Sequence, residues 1–316
     1  MSDPTTELSA VVPLFNEAES LRELHGELSR ALDASGRRWE VVYVDDGSRD
    51  GSDRVIAELA AADPRVRGVS FRRNFGKSAG LATGFRLASG EWVLTLDADL
   101  QDDPAELPKL IAALESGFDL VSGWKQRRQD PLSKTLPSKL FNAVTGWVAG
   151  IRLHDFNCGF KLYRRDVCDS IEVYGELHRF MPALAHWRGF RVTEVPVHHR
   201  PRKFGKSKFG PSRFINGFLD LLAASFISTS ALKPLHVFGR IGLAFIGIAA
   251  LIALYFIALF FHGDPVRVRP LMLFGAALGL AGVQLILMGL LGEMIASLAA
   301  RADYPVRRRY NLPEMR

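Results

Sequence analysis

Residues Asp97 to Pro104 read D-A-D-L-Q-D-D-P. Two carboxylates on either side of a small residue can hold a divalent cation against a diphosphate. Mg²⁺ and Mn²⁺ take oxygen ligands and are commonly shared between one or two carboxylates and substrate phosphates. A lone acidic turn of this kind also serves as a helix cap, so its meaning depends on its company. That company is V-V-P-L-F-N-E at Val11 to Glu17 and V-D-D-G-S at Val44 to Ser48. Further along stand D-F-N-C-G-F-K-L-Y-R at Asp155 to Arg164 and R-K-F-G-K-S-K at Arg202 to Lys208.

The elements that must position these groups are legible in the apolar pattern. Strands are expected at Leu8 to Pro13, Trp39 to Asp45, Val66 to Phe71 and Trp92 to Asp97. Between them, a helix capped by Asn16, with Glu19 three residues on, puts Leu21, Leu24, Leu28 and Leu32 on one face. A second helix runs to about Ala62 and a third spans Ser78 to Ala88. Alternating strands and helices give a mostly parallel sheet covered on both faces. Ligands of such sheets bind outside the carboxyl ends of the strands. Pro13 to Glu17, Asp45 to Ser48 and Asp97 to Gln101 therefore meet at one crevice.

After Arg240 the composition changes. Ile241 to Phe261 and Leu271 to Gly292 are apolar runs long enough to cross a hydrocarbon core. The second is broken only by Gln284, which is expected to pack against another helix. Before them, Phe214, Ile215, Phe218, Leu221, Leu222 and Phe226 have the spacing of a helix lying in a membrane interface, or of a soluble core helix. Arg301 and Arg307 to Arg309 follow the second run, and Lys203 to Lys208, Lys233 and Arg240 precede the first. Positive residues favour the cytoplasmic side, so both termini are expected there, although the His262–Pro270 turn carries Arg267 and Arg269.

The chain has 316 residues and a formal net charge of +6. Its cations cluster beside apolar segments, which favours membrane surfaces or phosphorylated ligands over nucleic acid; a merely solvated basic face is the plain alternative. Cys158 and Cys168 give neither a disulfide framework nor a zinc pattern, and are expected as reduced thiols. The polar, acidic start Met1 to Leu8 lacks the plan of a cleaved signal peptide.

Taken together, the motifs from Val11 to Lys208 resemble glycosyltransferase family 2, whose nucleotide-diphosphate-sugar fold is called GT-A. The later blocks and the two apolar runs resemble its polyprenyl-phosphate branch, which includes dolichyl-phosphate mannose synthase and bactoprenol glucosyltransferase. The resemblance implies an α/β GT-A catalytic domain at residues 1–210, with an interfacial amphipathic segment at 211–236. A transmembrane hairpin at 237–300 and a basic cytoplasmic tail at 301–316 complete the expected organisation. It further implies inverting transfer of one sugar from a UDP- or GDP-linked donor to polyprenyl phosphate of undecaprenyl or dolichyl type. The setting would be the cytoplasmic face of the plasma membrane, with Mg²⁺ or Mn²⁺ as cofactor. A homo-oligomer of four copies fits resembling proteins, and Gly275, Gly279 and Gly282 offer a small-residue face for it. A flippase and a second transferase are implied as working beside it.

Residue by residue, the resemblance assigns Pro13, Phe15 and Glu17 to the nucleotide pocket, and Asp45 and Asp46 to base and ribose. Asp97 faces the donor, and Asp99 and Gln101 hold the metal. Glu17 also suits a helix N-terminus. Lys125, Arg127, Arg128, Lys134 and Ser138 match the acceptor-phosphate site, although Trp124-Lys125 stands where the mannose synthases typically have an arginine. Arg202, Ser207 and Lys208 match a loop over the donor phosphates. Asp155 orients sugar or acceptor, abstracts a proton, or simply caps the turn before Asn157-Cys158-Gly159. His178 and Arg179 either contact the donor or make structural bonds. Two other functions share this pattern: a processive polysaccharide synthase, which would carry a Q-x-x-R-W segment absent from E-L-H-R-F and A-H-W-R-G-F, and an inactive membrane adaptor, against which the intact Asp97, Asp99, Gln101 and Asp155 argue.

Overall fold

The computed structural model describes residues 6–126, 142–201, 203, 234–262 and 269–299. The chain divides into two compact units, Met1–Ala224 with Tyr304–Arg316, and Ser225–Asp303.

The first unit opens with β1 (Leu8–Leu14), α1 (Ala18–Ala34), β2 (Trp39–Asp45), α2 (Ser52–Ala62), β3 (Val66–Ser70), α3 (Lys77–Leu87) and β4 (Trp92–Thr95). It continues with α4 (Leu107–Glu115), β5 (Leu120–Lys125), a helix α5 through 142–149, β6 (Lys161–Arg164), α6 (Arg165–Ser170), α7 (Met181–Trp187) and β7 (Val192–Val197). The strands form one sheet in the order β3-β2-β1-β4-β6-β5-β7. The first four are parallel, and β5 and β7 are parallel to each other. β6 is antiparallel to both neighbours and splices the halves together. The mostly parallel sheet is thus as the alternation implied.

Alternate β1 side chains feed two cores. Leu8, Ala10, Val12 and Leu14 meet the leucine stripe of α1 (Leu21, Leu24, Leu28, Leu32) and Leu107, Leu110 and Leu114 of α4. Val11 turns the other way, into a core with Leu81 and Phe85 of α3 and much of α6 and α7. Helix α3 lies tight on β1: a Cβ at Gly84 would come within 2.2 Å of Val11 Cγ1. That close approach fixes where the first residue of α3, Lys77, emerges.

The expected Asn16 cap is not what starts α1. Asn16 sits at φ 55, and Glu17 occupies the cap position without a side-chain cap bond. The orphan amides at a helix start must find acceptors somewhere, and here the loop after β2 supplies them. Asp50 Oδ2 accepts from Ala18 N at 2.9 Å, and Ser52 Oγ accepts from Glu17 N at 3.1 Å. Asn16 instead joins the two loops, its Oδ1 accepting from Arg49 N at 2.8 Å. β4 ends at Thr95, so the acidic motif lies just past the strand rather than on it.

The second unit pairs α8 (Pro234–Phe261) with α9 (Pro270–Ala299), both long and apolar enough to cross a membrane. α8 starts at Pro234, inside the segment expected to be interfacial; the rest of that segment, 211–233, and the tail 301–316 lie outside the described residues. Gly275, Gly279 and Gly282 all face α8 within the hairpin. A Cβ at Gly282 would lie 2.7 Å from Gly242 O, one at Gly275 2.9 Å from Ile252, and one at Gly279 3.5 Å from Ala249. These small residues let the two helices approach closely, the contact that must hold apolar helices together wherever burial gives no hydrophobic drive. Gln284 is exposed on α9, not buried against α8. Glu293 Oε2 accepts from Leu235 N at 3.3 Å and so caps the start of α8.

Removing the borrowed cap tests the assembly of the site-bearing loops. Asp50→Ala should cost about 1 kcal/mol, the usual worth of an N-terminal cap. Thermal unfolding of the full-length protein in detergent should show a melting temperature lower by a few degrees, with the fold retained.

Candidate active site

The carboxylate of Asp97 is the centre of the crevice. Lys77 bonds to its Oδ1 from the N-terminus of α3. On its other side the backbone of Gly159 comes so near that a Cβ there would lie 2.7 Å from Asp97 Cγ. Gly159 is held in turn, because Thr95 Oγ1 donates to its carbonyl at 2.8 Å. Lys161, only 3% exposed on β6, donates to the Cys158 carbonyl and closes the same turn. A cavity of ≈ 10 Å³, room for about one water molecule, lies among Lys77, Asp97, Asn157, Lys161 and His178.

The electrostatics follow from this crowding. Burial works to raise the Asp97 pKa, but Lys77, then Lys125 and Lys161, hold it down at about 2. Burial and then the neighbouring Lys77 charge press the pKa of Lys161 below its ordinary value. His178 is driven well below the usual imidazole range by burial, with Lys77 and Arg179 adding to it. Its Nδ1 lies 2.9 Å from Ser78 Oγ, a structural bond that fixes the start of α3. Burial pushes the Cys158 thiol up to about 12, so it is no nucleophile. Both cysteines are free and buried, as reduced thiols would be.

Beyond Asp97 the acidic loop is laced to its surroundings. Asp99, 8% exposed, accepts from Gln101 N at 3.2 Å. Asp102 pairs with Lys125 of β5 at 2.8 Å. Burial opposes the Lys125 charge, yet Asp102 raises its pKa well above the ordinary lysine range. Arg200, past β7, bonds Asp103 and Glu27 of α1 at 2.7 Å each, and its N–H donates to Gln101 O at 2.9 Å. The Gln101 amide nitrogen reaches Arg200 O at 3.5 Å.

Residues 9–172 match the family described as Glycosyl transferase family 2. The chain belongs to that family. It is 37% identical over 310 residues to a dodecaprenyl-phosphate galacturonate synthase of Rhizobium johnstonii, covering 96% of this chain and 92% of that protein. It is 36% identical over 293 residues to an undecaprenyl-phosphate 4-deoxy-4-formamido-L-arabinose transferase of Salmonella paratyphi B, covering 92% and 89%. In fold it is similar to the crystal structure of glucosyl-3-phosphoglycerate synthase from Mycobacterium tuberculosis with Mn²⁺, uridine diphosphate and phosphoglyceric acid. That likeness has a TM-score of 0.56 at 16% identity over 71% of this chain and 79% of the other, and it speaks for the GT-A fold alone.

Within this family 2 fold, the expected donor-side residues divide by what already occupies them. Asp46 accepts from Phe75 N at 2.6 Å and Gly76 N at 2.9 Å, so its carboxylate anchors the loop that presents Lys77. Asp45 Oδ1 accepts from Ser48 N at 3.0 Å and shapes the turn. Pro13 is buried at the end of β1 and lines the Asp97 cavity, while Phe15 and Glu17 are half-buried in the loop that follows. Asp155 is 1% exposed, and its Oδ1 accepts from Asn157 N at 3.0 Å, the turn-capping bond. Trp124 stacks on His154 with ring centroids 4.1 Å apart, and His154 is tied to Glu194. Arg127, Arg128, Lys134, Ser138, Arg202, Ser207 and Lys208 lie outside the described residues.

Lys77 lies outside the motifs, and Asp102 and Lys161 lie inside them without an assigned role. Lys77 stands twenty positions before Asp97 with no local signal linking them, and nothing in its own motif tells what Lys161 faces. Only the placement of β6 between β4 and β5 gives it a role.

Gly159→Ala isolates the Asp97 geometry. The added methyl must push the carboxylate aside, and a shift of about 1 Å in a reacting constellation can cost about 100-fold. The turnover should fall by roughly that factor while circular dichroism and melting temperature stay close to wild type.

Proposed function

We propose that this family 2 enzyme transfers one sugar, with inversion, from a nucleotide-diphosphate donor to polyprenyl phosphate at the cytoplasmic face of a membrane. The observation that carries this is the pair of near-full-length relatives. Their names differ in the sugar and agree in the lipid phosphate. The apolar hairpin and the cations flanking it support the membrane setting and the cytoplasmic termini.

The site chemistry supports it as well. Among the described residues no three His, Cys, Asp or Glu side chains cluster to hold a metal by themselves. Asp99 and the amide oxygen of Gln101 instead fit an incomplete oxygen set, of the kind that Mg²⁺ or Mn²⁺ completes with substrate phosphates. Bound there, the ion would neutralise the leaving diphosphate. Asp97 stays ionised at working pH and orients the donor sugar through its hydroxyls. Lys77 is placed to turn from Asp97 to the donor's negative charge. Pro13, Phe15, Glu17 and the Asp45–Asp46 turn form the nucleotide wall, with Arg202, Ser207 and Lys208 over the diphosphate. Lys125 forms the floor of the acceptor site, whose phosphate is met by Arg127, Arg128, Lys134 and Ser138.

A strong general base is unnecessary. The second pKa of a phosphate monoester is about 6, so the lipid phosphate is largely dianionic at neutral pH and already nucleophilic. Positioning and charge neutralisation are what the protein must supply. Asp155, capped into its turn, positions the Asn157–Gly159 backbone rather than taking a proton.

Asp99→Ala should abolish transfer to undecaprenyl phosphate while the protein remains folded and membrane-bound, and excess chelator should do the same to the wild type. Full activity in chelator would reject the metal assignment. NMR of the lipid-linked product made from an α-linked donor should show a β-phosphate linkage; an α-linkage would sink the single-displacement mechanism. Screening UDP- and GDP-sugars under the same conditions identifies the donor.

A further inference from the structure

Trp147 is 85% exposed, the most of any large apolar side chain among the described residues. Its exposure does not come from a loosely held helix. In α5, Thr145 is fully buried, Ala149 is 3% exposed and packs in the core, and Asn142 Nδ2 donates to His154 O at 2.7 Å. Val144, Val148 and Ile151 are half-buried against the same core. The rotation of α5 is therefore fixed, and it turns the indole outward. Leaving so large an apolar surface in water is unfavourable. A tryptophan is suited to the boundary between headgroups and acyl chains, where its ring is sheltered and its N–H still finds acceptors.

The surroundings carry a matching charge. α5 ends at Gly150, where a Cβ would lie 3.9 Å from His186 Nε2, so the end of α5 abuts the end of α7. Arg152 follows the first and Arg188 the second, and both are exposed. An open indole one helical turn before that junction, with an exposed arginine two residues past each side of it, suits an anionic lipid surface.

We propose that the outer face of α5, with Trp147 seated among lipid headgroups and Arg152 and Arg188 beside it, is a membrane-contact surface of the catalytic unit. The surface is joined to the reacting centre, because Asn142 holds the backbone of His154, the residue before Asp155 and the Gly159 turn. Contact with the bilayer there holds the site at the level where a lipid phosphate emerges. This rests on the membrane-bound, lipid-phosphate reading above, and the test separates the two.

Full-length protein is placed in vesicles of equal parts phosphatidylglycerol and phosphatidylcholine, with bromine near the top of the acyl chains as a fluorescence quencher. Wild type should lose an emission component that Trp147→Phe lacks, and replacing phosphatidylglycerol by phosphatidylcholine should weaken the effect. Equal quenching of wild type and Trp147→Phe overturns the proposal. In a second arm, Trp147→Glu should raise the KM for a long-chain polyprenyl phosphate in vesicles severalfold and leave turnover of a short isoprenyl phosphate in micelles unchanged. Equal losses on both acceptors, or a disulfide-linked dimer formed through Trp147→Cys, also overturn it. A wild type that turns over neither acceptor rejects the transferase reading instead, while the quenching result stands by itself.

Discussion

An ionised carboxylate in a crowded, part-buried position is steadied by cations close by, and Asp97 has them from three directions. Burial alone would drive such an acid toward its neutral form. Lys77 comes from the start of α3, Lys125 from the end of β5 and Lys161 from β6, and together they keep the charge. None of these residues is near Asp97 in the chain. The sheet must therefore bring β6 in, antiparallel, between β4 and β5, and α3 must lie close enough on β1 for Lys77 to reach across. Lys161 shows what this arrangement costs, since burial and Lys77 press against its own charge.

The carboxylates of the crevice do two different jobs, separated by what already satisfies them. Asp46 and Asp50 accept from backbone amides of neighbouring loops and Asp45 from one in its own turn, and such bonds are directional and costly to leave unmade. They build the rim. Asp97 instead pairs with a lysine side chain, and both are about one-third exposed. The same motif letters thus give backbone scaffolding in one strand end and a charge pair in the next. Arg200 extends the scaffolding outward by tying the acidic loop to α1 through Glu27 and Asp103.

The hairpin solves a different problem with different means. In an apolar solvent, helices gain little by hiding apolar surface from each other, so contact depends on close backbone approach. Gly242 and Gly282 provide it at one crossing, and Gly275 and Ile252 at another. Gly275 and Gly282, which the sequence offered as part of an assembly face, make close contacts within the hairpin itself. Gln284, left exposed on α9, is one polar group of the hairpin that these contacts do not cover.

By itself the sequence determined the α/β class, the parallel first half, the leucine stripe of α1 and both long apolar helices, because each is written in a local period of two or about four residues or in a long apolar run. It also located the acidic strand ends, since a doubly covered parallel sheet leaves its ligands one place to sit. What it could not contain was which polar group would be used by which neighbour. Asn16 reads as a cap, but Asp50 and Ser52 reach the helix start first. Asp46 reads as a ligand group, and the loop before α3 also donates to both its oxygens. Lys77, Lys161 and Gly159 gain their meaning only when residues twenty to more than sixty positions from Asp97 close around it. Local spacing carries the elements; the pairing of buried charges is a property of the packed sheet, and only the tertiary structure decided it.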